Sequence, residues 1–188
     1  RIGLFVYDMT GQGSMHRVAQ FSSVDISTFN WVGNDRLLFT VMDYSGGLGR
    51  PDGAWGLYSV KATGQDIKEL VNRRAPMVVD SNRNTKSLDW NHVLLNVPLS
   101  KENTNNVEVL IAELDYDRQR KRPPYTYPLW LNIETGKTRP VGFKVPSGTT
   151  NWIFDQRGNP RVAFTREGTN VKALWKKDQD SDWTPLVD

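Results

Sequence analysis

A short apolar and aromatic segment that ends in Thr-Gly occurs three times in this sequence, at Leu4–Gly11, Leu57–Gly64 and Leu129–Gly136. Each copy is followed, after a few polar residues, by a second apolar segment, at Val18–Phe21, Ile67–Val71 and Arg139–Phe143. Glycine readily adopts the positive φ that a tight turn needs, and the flanking residues are typical of paired strands. Each copy therefore predicts a β-hairpin.

A second kind of hairpin alternates with the first. Its copies are an aromatic segment, a polar turn and an apolar segment, at Phe29–Val41, Leu88–Val97 and Trp152–Phe164. A further hairpin of the first kind is predicted from Ala173 to Leu186. Two hairpins make four antiparallel strands per repeat, which is the composition of a propeller blade.

The predicted fold is all-β, a partial β-propeller of about three to four four-stranded antiparallel blades. The chain is interpreted as a single propeller fragment over 1–188, with blade parts at about 1–24, 25–75, 76–146 and 147–188. No helical periodicity is sustained anywhere in the sequence. The long repeats place extra residues in predicted loops at Tyr44–Ala54, Asn82–Lys86, Ser100–Asn106 and Asp115–Tyr127.

The first residues suggest that a longer parent extends on both sides of this chain. Arg1 leads directly into the apolar segment Ile2–Tyr7, with no Met or leader in front of it. Three and a half blades would leave open strand edges, which favour self-association, and two chains could also complete a ring. The sequence is compatible with a cytoplasmic or a periplasmic location.

Composition excludes several classes of function. The sequence has 24 basic and 21 acidic residues and a net charge of +3, so the surface is nearly balanced and no nucleic-acid partner is predicted. It has no Cys, which excludes disulfides, thiolate metal sites and a Cys nucleophile. No apolar segment reaches 18 residues, so no membrane span is predicted.

The candidate catalytic residues lack the necessary neighbours. Ser45 is followed by two glycines, but Asp43 stands where a hydrolase nucleophile elbow needs glycine, so an inter-strand loop is predicted instead. His16 and His92 lie in or near predicted turns, without the spacing of a triad or a metal site. Asp43, Asp89 and Asp155 could serve an enzyme with a central-channel site, but no convergent pair can be identified among them. No catalytic residue is predicted.

The candidate binding motifs are also incomplete. Asp178, Asp180 and Asp182 have the first spacings of a calcium loop, but Trp183 occupies the position that requires glycine, so a polar turn is predicted. The basic cluster Arg118–Arg122 has no interleaved aromatic residues and is interpreted as a solvated loop tip or a patch for acidic peptide. No metal site and no cofactor are predicted, since Gly47 and Gly49 lack the third glycine of a phosphate-binding loop.

Tryptophan is frequent, and its positions match between repeats. We expect these side chains to pack between blades rather than form a ligand platform, because each buries a large area. The seven are Trp31, Trp55, Trp90, Trp130, Trp152, Trp175 and Trp183.

The last repeat carries a resemblance to a known family. The segments Trp152–Asp155, Gly158–Phe164, Leu174–Trp175 and Trp183–Leu186 resemble the final blades of the N-terminal propeller in prolyl-oligopeptidase-type serine peptidases, including acylaminoacyl-peptidase-like members. The hairpin Leu129–Gly136 is similar to the same region. Comparable motifs also occur in the propellers of TolB-like periplasmic proteins.

The resemblance implies a non-catalytic role for this chain. In the peptidase family the propeller precedes an α/β-hydrolase domain with a Ser-Asp-His triad and restricts entry to short peptides or unstructured tails. The implied partners are a peptide substrate and a hydrolase domain in cis, so the parent, rather than this chain, would be the enzyme. The alternative is a TolB-like propeller that acts as a protein-binding module.

Overall fold

The computed structural model describes residues 1–10, 13–43, 56–73, 87–99, 107–116 and 122–186. Within these ranges the chain forms fourteen β-strands and no helix, so the all-β prediction is confirmed. The strands are β1 Leu4–Asp8, β2 Ser14–Ala19, β3 Asp25–Val32, β4 Arg36–Met42, β5 Leu57–Lys61, β6 Lys68–Val71, β7 His92–Asn96, β8 Glu108–Asp115, β9 Tyr125–Asn132, β10 Thr138–Pro140, β11 Thr149–Phe154, β12 Pro160–Glu167, β13 Asn170–Trp175 and β14 Thr184–Pro185.

The strands form four antiparallel sheets, in which neighbours in sequence are neighbours in space. Strands β1 and β2 form a two-stranded sheet, and three four-stranded sheets have the orders β3-β4-β5-β6, β10-β9-β8-β7 and β11-β12-β13-β14. Hairpin connections join such strands without crossovers. Whether the sheets belong to one domain with the proposed blade boundaries stays a prediction.

The predicted Thr-Gly hairpins are present. They correspond to the pairs β1–β2, β5–β6 and β9–β10. Gly64 has a φ of 83° and Gly136 a φ of 72°, which is the left-handed conformation expected at these turns. The predicted hairpin from Ala173 to Leu186 is also present, although β14 pairs with β13 over only two residues.

Two sequence-based expectations are wrong in detail. The predicted loop Asp115–Tyr127 is shorter than expected, since Asp115 ends β8 and pairs with Tyr125 at the start of β9. The Tyr-Thr-Tyr sequence at the start of β9 has the aromatic and β-branched side chains that favour strand. The segment before β7 forms no hairpin strand, because the backbone of Leu88 bonds instead to Leu70 and Asn72. The other predicted loops, 44–54, 82–86 and 100–106, lie outside the described residues.

Two compact units can be distinguished within the described residues. The first takes its residues from 1–90, with Val107 and 133–136, and the second from 91–99, 108–132 and 137–186. The first unit has a buried core of aliphatic side chains around Phe39, which stacks on Tyr58 with a centroid separation of 5.5 Å. Phe21 also packs against Tyr58, and their ring centroids are 5.4 Å apart.

The second unit has its core on the central strands β8 and β9. Leu110, Ile111 and Leu131 are fully buried there. Gly158, with a φ of 80°, lies against this core, and a Cβ at that position would come within 2.9 Å of Pro98 Cγ. Any larger residue would therefore displace the packing around Trp130 as well as strain the backbone.

We expect Phe39→Ala to lower the free energy of unfolding by about 3–5 kcal/mol, because it removes a buried aromatic side chain and leaves a cavity. Phe39 is 1% exposed, whereas its cross-strand partner Phe29 is 57% exposed and provides the matched control. Phe29→Ala should change stability by about 0.5 kcal/mol or less. Urea denaturation measures both, and equal losses for the two variants would contradict the assigned core.

Candidate functional site

The end of the β8–β9 hairpin brings two functional side chains together. Asp115 and Tyr125 are direct cross-strand partners at the last pair of the ladder. Directly opposed residues of an antiparallel pair project from the same face of the sheet. The exposed Asp115 carboxylate and the half-buried Tyr125 ring therefore share one face at the hairpin end.

Thr126, the residue after Tyr125, attaches this hairpin to strand β11 of the same unit. The indole Nε1 of Trp152 donates to Thr126 Oγ1 at 2.9 Å, and Thr126 Oγ1 donates to the carbonyl of Thr149 at 3.3 Å. All three residues are buried. Because buried polar groups that lose a partner are costly, these bonds hold β9 and β11 in one relative position.

Arg166, near the end of β12, is positioned by its backbone. Its N–H donates to the carbonyl of Gly148 at 2.8 Å, and it pairs with Val171 on β13. Gly148 has a φ of 71°, and a Cβ there would lie only 2.6 Å from the Arg166 carbonyl oxygen. Glycine is therefore required at 148 for the backbone to approach Arg166 this closely.

These elements border a cavity of about 130 Å³ in the second unit. The described residues that line it are Asp115, Arg122, Pro123, Tyr125 and Arg166. Two guanidinium groups and one carboxylate give the described part of the lining a net positive charge. Guanidinium groups bind carboxylates and phosphates through paired hydrogen bonds, so the cavity is suited to bind an anion rather than to perform nucleophilic catalysis.

The two cavity arginines differ in their surroundings. Arg122 is exposed, and the following Pro123 restricts its backbone to extended conformations. Arg166 is half-buried, and its Nε is fully buried without a hydrogen-bond partner in the described part of the chain. No ion pair of either arginine, or of Asp115, is found among the described residues.

A buried arginine in the first unit provides a contrast. Arg36 is 2% exposed and forms ion pairs with Asp66 and, at 3.3 Å, with Glu134. Lys68 also contacts Asp66 at 3.3 Å. The hydrogen bond from Arg36 holds the pKa of Asp66 below its ordinary value. Because a buried cation with carboxylate partners is compensated, this cluster is structural.

The structure places the two histidine candidates from the sequence on separate strands. Ser45 lies outside the described residues. His16 Nε2 lies 2.6 Å from the carbonyl oxygen of Ala62, so this ring connects β2 to the turn after β5. His92 begins β7, where its cross-strand partner is Glu113.

The acidic candidates serve as turn residues. Asp178 accepts hydrogen bonds from the backbone N–H groups of Ser181 at 2.8 Å and Asp180 at 3.2 Å, and the bonds from Ser181 lower its pKa. Burial raises the pKa of Asp155, but hydrogen bonds from Asn159 and its neighbours outweigh this effect and lower the pKa overall. Among the described residues, no three His, Asp or Glu side chains are placed to hold a metal ion.

The tryptophans are less uniformly buried than expected. Trp152 is 7% exposed, whereas Trp31 is 46% exposed and Trp175 is 40% exposed. Trp31 lies on the outermost strand of its sheet. Trp175 lies on β13, and on one side of β13 the neighbouring strand is the short β14. The prediction that these two side chains pack in the core is therefore wrong, and Trp55 lies outside the described residues.

Local sequence patterns single out only one residue of the cavity. Arg122 belongs to the predicted basic cluster, whose other members, 118–121, lie outside the described residues. Tyr125, Asp115 and Arg166 were not identified as a site, because no local spacing connects them. The only sequence signal for Arg166 is a cation two residues after the apolar segment Val162–Phe164.

The described residues contain no helix that is long and apolar enough to cross a membrane. Comparisons of the chain with protein-family models, curated proteins and solved structures gave no match.

The Arg36 cluster predicts how acid affects stability. Asp66 has a lowered pKa in the folded protein, so its contribution to stability is present above its unfolded pKa of about 4 and is lost as pH falls through the folded pKa. We expect Asp66→Asn to be less stable than wild type at pH 7, with a difference that shrinks below about pH 4. Asn tolerates the positive φ of 55° at this position, so the substitution removes charge without backbone strain.

Thermal unfolding followed by circular dichroism between pH 7 and pH 3 measures this difference. Asp35→Asn, in the adjacent exposed turn, is the matched control and should follow wild type throughout. A difference between Asp66→Asn and wild type that stays constant over this range would contradict the assignment.

Proposed function

We propose that this chain is the non-catalytic propeller portion of a prolyl-oligopeptidase-type serine peptidase, where it restricts the access of peptides to a hydrolase domain. The observation that carries the proposal is the succession of three four-stranded antiparallel sheets, each built from consecutive strands. Four antiparallel strands per repeat are typical of a propeller blade. The blade-like motifs of the last sheet add the family resemblance.

The chemistry of the described residues is compatible with a non-catalytic role. A serine peptidase needs a nucleophile in contact with a base that a third group orients. His16 contacts a backbone carbonyl, and Asp155 and Asp178 bind the backbone of their own turns. In this proposal the peptide-hydrolysing groups belong to the α/β-hydrolase domain, and the chain contributes the surface that selects what enters.

A TolB-like protein-binding module is the second candidate. It is favoured by exposed apolar side chains on the first hairpin, where Phe5, Tyr7 and Met15 are 53%, 59% and 68% exposed. Exposed apolar and aromatic side chains that lie together are typical of protein-interaction surfaces. Both candidates use the same fold, and they differ in whether a hydrolase domain accompanies it.

The coding sequence downstream of Asp188 distinguishes the two candidates. The peptidase proposal predicts a segment with alternating strand and helix patterns that contains a G-x-S-x-G motif. A reading frame that ends without such a segment would overturn the peptidase proposal and favour the binding module.

We also expect the purified chain to hydrolyse no peptide nitroanilide or nitrophenyl ester above the buffer rate. A fluorophosphonate probe, which labels activated serines, should leave the chain unmodified. Ser45→Ala is the matched control, because Ser45 is the residue that most resembles a nucleophile in the sequence. Labelling or turnover that disappears in this variant would contradict a non-catalytic role.

A further inference from the structure

We infer that the free edge of strand β1 is a docking site for a β-hairpin of a partner polypeptide, which extends the sheet beyond β1 and covers the exposed rings of Phe29 and Trp31. The partner is an antiparallel hairpin of the β3–β4 kind, with apolar residues and a cation that faces Asp8. The site belongs to the first unit alone. It goes beyond the proposed function, because it does not depend on whether a hydrolase domain accompanies the chain.

The first step of the argument is the position of β1 among the repeats. Strands β5, β9 and β13 begin the corresponding hairpins, and each is bonded on its other edge to the second strand of a preceding hairpin, which is β4, β8 or β12. Among the described strands, β1 pairs with β2 alone. Its other edge therefore presents backbone N–H and C=O groups that an added strand can bond.

The second step is a gap in the packing beside this edge. Phe29 and Trp31 on β3 lie directly opposite Phe39 and Leu37 on β4, so all four side chains project from one face of the sheet. Phe39 and Leu37 are each 1% exposed, in the core that the β1–β2 hairpin covers, whereas Phe29 is 57% and Trp31 46% exposed. The hairpin thus covers β4 and leaves this part of β3 bare.

The third step is the orientation of the covering hairpin. His16 of β2 lies 2.6 Å from the carbonyl oxygen of Ala62, which places β2 beside the end of β5. The segment that leads into β1 lies on the opposite side, where the carbonyl of Ile2 accepts a hydrogen bond from the N–H of Ile26 on β3 at 3.2 Å. The free edge of β1 is therefore directed towards β3, and a strand added there would lie over the two exposed rings.

The fourth step identifies the occupant as a hairpin. The sheet beneath has four strands and its cover has two, so two added strands, each about 4.8 Å wide, make the cover as broad as the sheet. Hairpins also occupy the equivalent position in the other three sheets, and each of them is already bonded into its own sheet. The longest stretch between the described ranges, 74–86, is shorter than the β3–β4 hairpin Asp25–Met42, so the chain itself does not supply the missing hairpin.

A second copy of this chain is a poor occupant. Neighbouring antiparallel strands are related by a two-fold axis perpendicular to the sheet, so pairing of β1 with the β1 of a second copy would bring the two β3 strands to the same place. The rings of Phe29 and Trp31 from both copies would collide there. A hairpin without an attached second layer avoids this collision.

The charge at the end of β1 favours one chemistry for the partner. Asp8 is exposed, and it corresponds to Lys61 when the Thr-Gly segments are aligned. Arg36 of β4 lies opposite Lys61, so a β4-like strand would place its cation opposite Asp8. Opposite charges on directly facing strand residues stabilise the pair, and like charges destabilise it. The edge therefore favours a strand that begins with a cation and continues with apolar residues.

The test is a titration of the ¹⁵N-labelled full chain with a synthetic peptide of residues 25–42, followed by NMR. We expect saturable shifts at the backbone amides of Phe5–Asp8 and at the indole Nε1–H of Trp31. A scrambled peptide of the same composition controls for apolar adhesion. The peptide with Leu38→Pro controls for strand pairing, because proline has no N–H to donate to the ladder. Both controls should bind at least about tenfold more weakly.

Substitutions in the chain test the covered surface. Phe29→Ala and Trp31→Ala should each weaken peptide binding about fivefold or more, because each removes an aromatic ring that the added strand covers. Trp175→Ala is the matched control, since Trp175 is 40% exposed and belongs to the second unit. This variant should bind the peptide like wild type.

Asp8 tests the register of the added strand. A peptide with Arg36→Glu should bind the wild-type chain more weakly than the original peptide, and Asp8→Asn in the chain should remove most of this difference. The Asn side chain can still accept the hydrogen bond that Asp8 accepts from the N–H of Thr10 at 2.8 Å, so the turn is retained. Amide spectra check that each variant is folded.

The inference is overturned if the hairpin peptide causes no shifts, if the scrambled or proline-containing peptide binds as tightly, or if both alanine variants bind it like wild type. Analytical ultracentrifugation of the chain alone tests the second copy, and a single species of monomer mass is expected. Dimerisation with shifts at Phe5–Asp8 as the chain concentration rises would assign this edge to self-association and overturn the inference as well.

Discussion

The antiparallel pairing of consecutive strands is the interaction on which the rest of this structure depends. Within each sheet, strands that are consecutive in sequence form backbone hydrogen bonds with each other, as the order β3-β4-β5-β6 illustrates. Local pairing requires only short loop closures, so the ladder can form without long-range connections. Each sheet also presents apolar side chains on one face, and these must pack against other residues to leave water. Phe39 in one unit and Leu110 in the other are fully buried in this way.

The same ladder explains how a charged cavity arises without a sequence motif. Pairing of β8 with β9 places Asp115 opposite Tyr125, and pairing of β12 with β13 places Arg166 opposite Val171, one residue after Thr165. Thr149 connects the two arrangements, because it pairs with Thr165 and accepts a hydrogen bond from Thr126. The register of these ladders therefore determines which charged side chains line the cavity. A shift of one residue in either ladder would move these side chains to the opposite face and remove the cavity.

The sequence predicts the local structure well and the site poorly, for physical reasons. Thr-Gly turns and alternating apolar residues are local signals, and they identify the hairpins at Gly64 and Gly136. The burial of individual residues depends on neighbours that local patterns do not specify, so Trp152 is buried while Trp175 is not. The basic cluster identified one cavity residue, Arg122, through its charge alone. Recognition of Arg166 requires the knowledge that its strand lies beside the β8–β9 hairpin end.

Two arginines of this chain differ in how their charge is compensated. Arg36 is more deeply buried and its charge is balanced by Asp66 and Glu134, although its Nη1, like the Nε of Arg166, is buried without a hydrogen-bond partner among the described residues. Arg166 is less buried and has no ion pair within the described residues, and its backbone N–H donates to the carbonyl of Gly148. The nearby Asp115 forms no ion pair with it in the described structure, so these two charges share a cavity lining without the direct pairing that compensates Arg36.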